Sequence, residues 1–177
     1  MKLVILDRDG VINQDSAQFI KSPEEWKPIA GSLEAIARLN QTGYQVVVAT
    51  NQSGVGRGLL DMATLNAIHD LMHRRLAEVG GQVAAVFYCP HAADAGCSCR
   101  KPRAGLFEEI GRRFDVDLAG VPTIGDSLRD LQAAAAVGAS PMLVLTGKGT
   151  KTRRDGSLPE GTQVYANLAE AVGALCR

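Results

Sequence analysis

Lys2 to Asn13 reads KLVILDRDGVIN. Leu3 to Leu6 is a short apolar run bounded by turn residues, which predicts a buried strand. Asp7 and Asp9 follow, two residues apart, and then Gly10. At the end of a strand, residues two apart project to the same side. The two carboxylates therefore face one small volume at the carboxyl edge of a sheet, where open α/β folds bind ligands. Gly10 allows a sharp turn there. A solvated turn would carry the same acids, so the reading depends on the rest of the chain.

Downstream, strand and helix signals alternate. Ser32 reads as the cap of a helix with Leu33, Ile36 and Leu39 on one face, stopped at Gly43. Tyr44 to Ala49 is a second buried strand that runs into Thr50-Asn51-Gln52-Ser53-Gly54. Gly54 to Gly58 reads as a glycine-rich loop. Asp61 caps a helix with Leu65, Ile68, Met72, Leu76 and Val79 at helical spacing. Val83 to Tyr88 is a third strand, leading into CPHAADAGCSCRKP at Cys89–Pro102. Leu106, Phe107, Ile110 and Phe114 form the next buried stripe. Pro122 to Gly125 is a strand ending at Asp126, and Ser127 caps the helix after it, with Asp130 three residues on. Pro141 to Leu145 is another strand, 147–163 reads as loop, and Leu168 to Leu175 is a closing helix. Asp15 to Pro28 is polar and irregular, a flap over the first strand's end, with Trp26 packing it. The alternation predicts an α/β domain over 1–177, a parallel sheet with helices on both faces.

Composition bounds the function. The chain has 177 residues, 46% apolar and 21% charged, with zero formal net charge. That suits one ordinary globular domain and supplies no basic field for nucleic acid or an anionic membrane. No apolar run reaches membrane-span length, and no signal peptide precedes the first strand. A cytoplasmic enzyme is expected. Of the four cysteines, Cys89, Cys97 and Cys99 cluster beside His91, which in a reducing compartment indicates a metal rather than a disulfide. Cys176 reads as a small buried hydrophobe. His69 and His73, one turn apart with no acid partner, read as a solvated helix face.

Four sets of polar groups follow four strands: Asp7 and Asp9; Thr50 and Asn51; Arg100 and Lys101; Asp126. Parallel strands bring all of them to one edge. Singly each is weak: Thr50 could be a strand-end cap, Lys101 a surface lysine, Asp126 a helix cap. In this order, together with GDSLRD, they resemble the haloacid dehalogenase (HAD) phosphohydrolase superfamily along essentially the whole chain. The resemblance implies a Rossmann-like HAD fold, and no long insertion marks a separate cap domain. It implies Asp7 as the nucleophile that forms an aspartyl-phosphate and Asp9 as general acid and base. Mg²⁺ would be held by Asp7, the backbone carbonyl of Asp9 and Asp126. Thr50 and Asn51 would bind the phosphoryl oxygens, and Lys101 would neutralise the charge growing in the transition state. Asp130 would orient its neighbours.

Cys89-x-His91-x₅-Cys97-x-Cys99 offers three thiolates and one imidazole, a closed set suited to structural Zn²⁺. Arg100-Lys101-Pro102 follows at once, so zinc would fix the loop 89–101 that aims these cations. A redox pair is the alternative.

DRDGVIN, TNQSG with GRG, and CPH…CxCRKP resemble the D-glycero-D-manno-heptose-1,7-bisphosphate 7-phosphatase family. That resemblance implies a small phosphosugar substrate, a role in ADP-heptose synthesis, and a capless enzyme. It implies a substrate lining of Asp15, Ser16, Ala17 and Gln18, then Thr50, Asn51, Gln52 and Ser53, with Arg100 and Lys101; Arg57, carried by the glycine-rich loop, and Ser127, next to Asp126, are expected to face the substrate as well. Arg100 would anchor the remote C1 phosphate. Ser127 stands where some members carry lysine. The short gap between His91 and Cys97 also resembles histidinol-phosphate phosphatase, which tends to have DRDGT and TNQDG instead. Polynucleotide 3′-phosphatase shares the TNQ-type motif. An inactive zinc-stabilised binding module and a phosphomutase complete the alternatives; the intact acids oppose the first and the missing cap the second. The small size suits a monomer.

Overall fold

The computed structural model describes residues 1–177. Six parallel strands form one sheet: β1 (Lys2–Leu6), β2 (Tyr44–Asn51), β3 (Ala85–Cys89), β4 (Pro122–Gly125), β5 (Ser140–Val144) and β6 (Gln163–Tyr165). Their order is β3-β2-β1-β4-β5-β6. The chain winds outward from β1 through β2 to β3, then returns to β4 on the other side of β1. The strand order therefore reverses between β1 and β4, and an open α/β sheet has its ligand crevice at such a switch point.

Side chains alternate across the sheet, as the two-residue strand period requires. Val4, Leu6, Val46, Val48 and Ile124 pack on one face with α1 (Ser32–Gln41), α3 (Met62–Glu78) and α7 (Leu168–Leu175). Leu3, Ile5, Val47 and Ala49 pack on the other with α4 (Gly105–Phe114) and Ala133 of α5 (Leu128–Ala136). Apolar residues on both faces explain why β1 and β2 read as continuous runs rather than as alternation. Burying each such side chain contributes about 1.5–3 kcal/mol.

The alternating α/β architecture predicted from sequence is present, with β4 and α7 at their expected bounds. Other elements differ in instructive ways. The expected loop 147–163 contains α6 (Gly149–Asp155). Its sequence, GTKTRRD, has no apolar stripe. It is held instead by Thr152 Oγ1, which donates to Asp126 O at 2.8 Å, and by Gly149, where a Cβ would lie 1.8 Å from Val144 O. The expected loop at Gly54–Gly58 begins as a single helical turn, α2 (Ser53–Gly56). Ser32 does not cap α1. Gly31, at φ +85°, takes that place, and Ser32 Oγ is buried and donates to Val11 O at 2.8 Å. His69 is not on a solvated face but buried. Cys176 is half-buried, its Sγ 3.1 Å from Thr42 Oγ1. Trp26 is buried beneath the flap, just after a 3-10 turn at Pro23–Glu25. No helix is long and apolar enough to cross a membrane.

Candidate active site

Each cluster of polar residues sits at the carboxyl end of its strand. Asp7 leaves β1 with its N–H donating to Ile124 O of β4 at 3.0 Å, so the acid is fixed directly over the switch point. Asp126 follows β4 and is buried. Two glycines make room for it. A Cβ on Gly10, at φ +85°, would lie 2.0 Å from Asp126 Oδ2, and one on Gly147 would lie 2.3 Å from the same oxygen. Lys148 N–H donates to that oxygen at 2.9 Å.

Asp7, Asp126 and Asp130 each bring an oxygen within 4.8 Å of the others. Burial, with the neighbouring carboxylates Asp130 and Asp9, pushes Asp7 up to about 7, although Lys101 opposes this. Burial, with Asp7 and Asp130, pushes Asp126 up to about 8. The protein thus gathers more negative charge here than it neutralises, which fits a hard divalent cation with oxygen ligands. Asp130 is already committed. Its Oδ1 is 2.6 Å from Lys101 Nζ, and its Oδ2 accepts from Ser127 N–H at 3.1 Å and Ser127 Oγ at 3.0 Å. Burial works to raise the Asp130 pKa, and the Lys101 charge with these hydrogen bonds outweighs it, so the carboxyl stays below its usual range.

Lys101 is buried, and its ammonium has all three donors occupied: Ala49 O at 2.7 Å, Asp130 at 2.6 Å and Asp7 Oδ1 at 3.2 Å. Burial opposes its charge, but Asp130 and Asp7 prevail and hold its pKa above the lysine norm. Its loop is clamped to β2 by a reciprocal pair. Asn51 Nδ2 donates to Lys101 O at 3.1 Å, and Lys101 N–H donates to Asn51 Oδ1 at 3.0 Å. Asp9 is held by Arg8, Asn13 and Gln52. Burial would raise its pKa, and the Arg8 charge and these hydrogen bonds lower it overall.

The zinc-type residues also converge. Cys89 Sγ lies 3.0 Å from Cys99 Sγ, 3.6 Å from Cys97 Sγ and 3.4 Å from His91 Nδ1, and His91 Nδ1 lies 3.2 Å from Cys99 Sγ. These separations approach the edge of a tetrahedron built on metal–sulfur bonds of about 2.3 Å. Burial and the neighbouring thiols push Cys89 up to about 12. Cys97 is drawn down to about 6: burial opposes this, and hydrogen bonds from Arg100 N–H and the cluster outweigh it. A thiol cluster this close, facing a ring nitrogen, fits a tetrahedral cation. The loop is pinned by glycines: a Cβ on Gly56 would meet Ala92 N at 2.6 Å, and one on Gly105 would meet Ser98 O at 2.4 Å.

The acids and Lys101, but not the Cys/His cluster, border a cleft of about 380 Å³. Of the residues expected from sequence, Asp7, Asp9, Asp126, Thr50, Asn51, Ser53, Asp15, Ser16 and Ala17 line it, as do Arg57, Arg100, Lys101 and Ser127. Gln18 does not; it borders a separate depression beside Lys21. Gln52 is buried behind the cleft, its amide donating to Asp9 Oδ2 at 3.2 Å and Thr50 Oγ1 at 2.9 Å. Sequence reasoning missed Phe19, Arg129 and Lys148. Arg129 was within reach, two residues beyond Ser127, whereas Lys148 lay in a stretch read as loop. Arg57 lies over the Phe19 ring, 5.5 Å from its centre. Arg100 Nη1 is buried with no protein partner. Burial, and the Arg129 and Arg57 charges, hold the Arg100 pKa below its usual value. Three arginines, one of them with an unpaired guanidinium nitrogen, suit an anion.

A capless parallel sheet with the reversed order β2-β1-β4, acids after β1 and β4, and a buried lysine between them defines a HAD-type phosphatase. The family model described as HAD-hydrolase-like matches 98–171, and that described as polynucleotide kinase 3 phosphatase matches 2–127. By its relatives, the chain belongs to the D-glycero-β-D-manno-heptose-1,7-bisphosphate 7-phosphatase family. It is 65% identical to the enzyme of that name from Bordetella bronchiseptica over 96% of this chain and 94% of the relative. It is 53% identical to that from Pseudomonas aeruginosa, over 98% and 97%. The crystal structure of D,D-heptose 1,7-bisphosphate phosphatase from B. bronchiseptica, complexed with magnesium and phosphate, superposes with a TM-score of 0.98 at 63% identity, covering 99% of this chain and 98% of that one.

Proposed function

We propose that this chain hydrolyses the C7 phosphate of D-glycero-D-manno-heptose 1,7-bisphosphate and leaves the C1 phosphate in place, for ADP-heptose synthesis in the cytoplasm. The observation that carries the reading is the Asp7–Lys101–Asp130 arrangement over the strand switch, in a chain 65% identical to a phosphatase of that name. The reading takes 1–177 as one catalytic domain, acting as a monomer, with zinc at Cys89, His91, Cys97 and Cys99 fixing the loop 89–101.

Asp7 attacks phosphorus. An oxygen–phosphorus bond forms as the bond to the sugar oxygen breaks, and Asp9 passes its proton to that oxygen. Asp9 then takes a proton from the water that cleaves the aspartyl-phosphate and regenerates Asp7. Lys101, held by Asp130, faces the charge that develops on the phosphoryl oxygens. Thr50 and Asn51 stand beside it. Mg²⁺, when bound, would neutralise repulsion between nucleophile and ester; Asp7, Asp126 and the Asp9 carbonyl would hold it. The Arg57, Arg100 and Arg129 group is suited to the second phosphate, with the Arg100 Nη1 hydrogen as the unsatisfied donor.

Phosphate release with Mg²⁺ tests the reading, using the heptose bisphosphate beside histidinol phosphate and a 3′-phosphorylated oligonucleotide. Strong preference for the heptose, one phosphate released per molecule, is expected. Preference for either other ester would replace the substrate assignment, and full turnover by Asp7→Asn would remove the nucleophile.

A further inference from the structure

Arg8 sits between the two catalytic aspartates in sequence and has no solvent exposure. Strand alternation turns it away from the cleft that Asp7 and Asp9 line. A buried guanidinium must find partners for its donors. Arg8 Nε donates to Asp9 Oδ1 at 2.9 Å, and Nη2 lies 2.8 Å from the same oxygen. Nη2 also donates to Gln52 Oε1 at 3.3 Å. The remaining corner, Nη1, lies 3.1 Å from Nε2 of His69, a buried residue of α3 that is 61 positions away in the chain.

Arginine has donors only. His69 Nε2 is therefore the acceptor, its proton is on Nδ1, and the ring is neutral. Burial and the Arg8 charge, which push His69 down to about 3, agree with this. Asp9 Oδ1 receives the guanidinium and Asn13 Nδ2 at 2.9 Å, whereas Oδ2 receives only the Gln52 amide at 3.2 Å. Oδ2 is the oxygen left to carry a transferable proton.

We infer that His69 is a positioning residue for proton transfer: it anchors Arg8 Nη1, so that the guanidinium grips Asp9 by Oδ1 and frees Oδ2 to serve the leaving-group oxygen. His69 touches no substrate. The inference rests on the proposed reaction, in which Asp9 is the acid.

The test is kcat/KM for phosphate monoesters whose leaving groups run from 4-nitrophenol to a primary alcohol, using full-length zinc-loaded protein with Mg²⁺. Phenolates depart without a proton and alkoxides do not, so a disturbed Asp9 acts selectively. His69→Leu is expected to lose about 10- to 100-fold on the alkyl esters and less than about threefold on 4-nitrophenyl phosphate. His69→Gln, whose Oε1 can accept from Arg8, restores most of the alkyl activity. Equal losses on all esters, or no loss, would overturn the inference. Asp9→Asn separates the two levels. If it is selective and His69→Leu is not, the inference alone fails; if it slows every ester alike, the acid assignment and the inference fail together. Should His69→Leu not fold, ¹⁵N NMR of the unmodified protein decides. An Nδ1–H tautomer for His69 between about pH 6 and 8.5 is expected from its acceptor role, and an Nε2–H or protonated ring overturns it.

Discussion

Lys101 Nζ lies 2.6 Å from Asp130 Oδ1, and neither side chain is more than 3% exposed. The two residues sit after different strands, and this pair, with the Ala49 carbonyl at 2.7 Å, keeps the ammonium aimed at Asp7, 3.2 Å away. Removing one partner of a buried ion pair strands the other charge in a poorly solvating environment. Asp130→Ala should therefore cost about 3 kcal/mol in unfolding free energy, measured by urea denaturation. Activity should fall about 100-fold as the lysine loses its aim. Native activity in a folded Asp130→Ala protein would show that Lys101 needs no such partner.

Gly147 makes a sharper prediction about the cation site. Its φ is +56°, and a Cβ there would lie 2.3 Å from Asp126 Oδ2 and 2.5 Å from Gly10 Cα. Gly147→Ala should displace Asp126, weaken Mg²⁺ activation at least about tenfold, and cost roughly 1–3 kcal/mol in strain. A Mg²⁺ titration of phosphatase activity checks it.

The stability of Mg²⁺-free, zinc-loaded protein should fall as pH rises. Asp7 and Asp126 are carboxyls raised to about 7 and about 8. The folded state then holds protons that the unfolded chain has released, so their contribution is full below about pH 4 and is lost as pH climbs through 7 and 8. Mg²⁺ favours the ionised pair, so the increase in melting temperature that it produces should grow between about pH 6 and 8.5. A Mg²⁺-induced shift that is independent of pH would contradict this assignment of the acids.

Cys97→Ala should lower zinc content and stability together. The variant lacks one of the four groups that could hold the ion, and the loop carrying Arg100 and Lys101 would lose that closure. A fall in melting temperature of at least about 6 °C is expected, on the order of 2 kcal/mol for a chain of this size. Elemental analysis that still finds one tightly held zinc per chain would show that the ligand set is wrong.

The sequence was legible where chemistry and local pattern coincide. The run Leu3–Leu6 followed by Asp7 and Asp9 announces a buried strand and its acids. Cys89, His91, Cys97 and Cys99 announce themselves by type and spacing. Ser127 and Asp130 form a local pair that a capping pattern reveals. Each of these signals lies within a single short stretch of chain, and strand and helix periods suffice to read it.

What only the tertiary structure decided are the contacts made across the chain. His69 reads as surface because nothing near it in sequence says that Arg8 will be buried against it. Gln52 reads as a substrate contact, yet its amide is spent on Asp9 and Thr50. Helix α6 has no amphipathic signature; Thr152 ties it to Asp126 O, and Gly149 leaves room for the close approach of Val144 O. Lys148 reaches Asp126 from 22 residues away. The sequence by itself determined which chemical groups the strands deliver to the sheet edge. Folding decided which of them meet, because the partner of a buried charge is selected by packing between elements distant in the chain, and no local period encodes that choice.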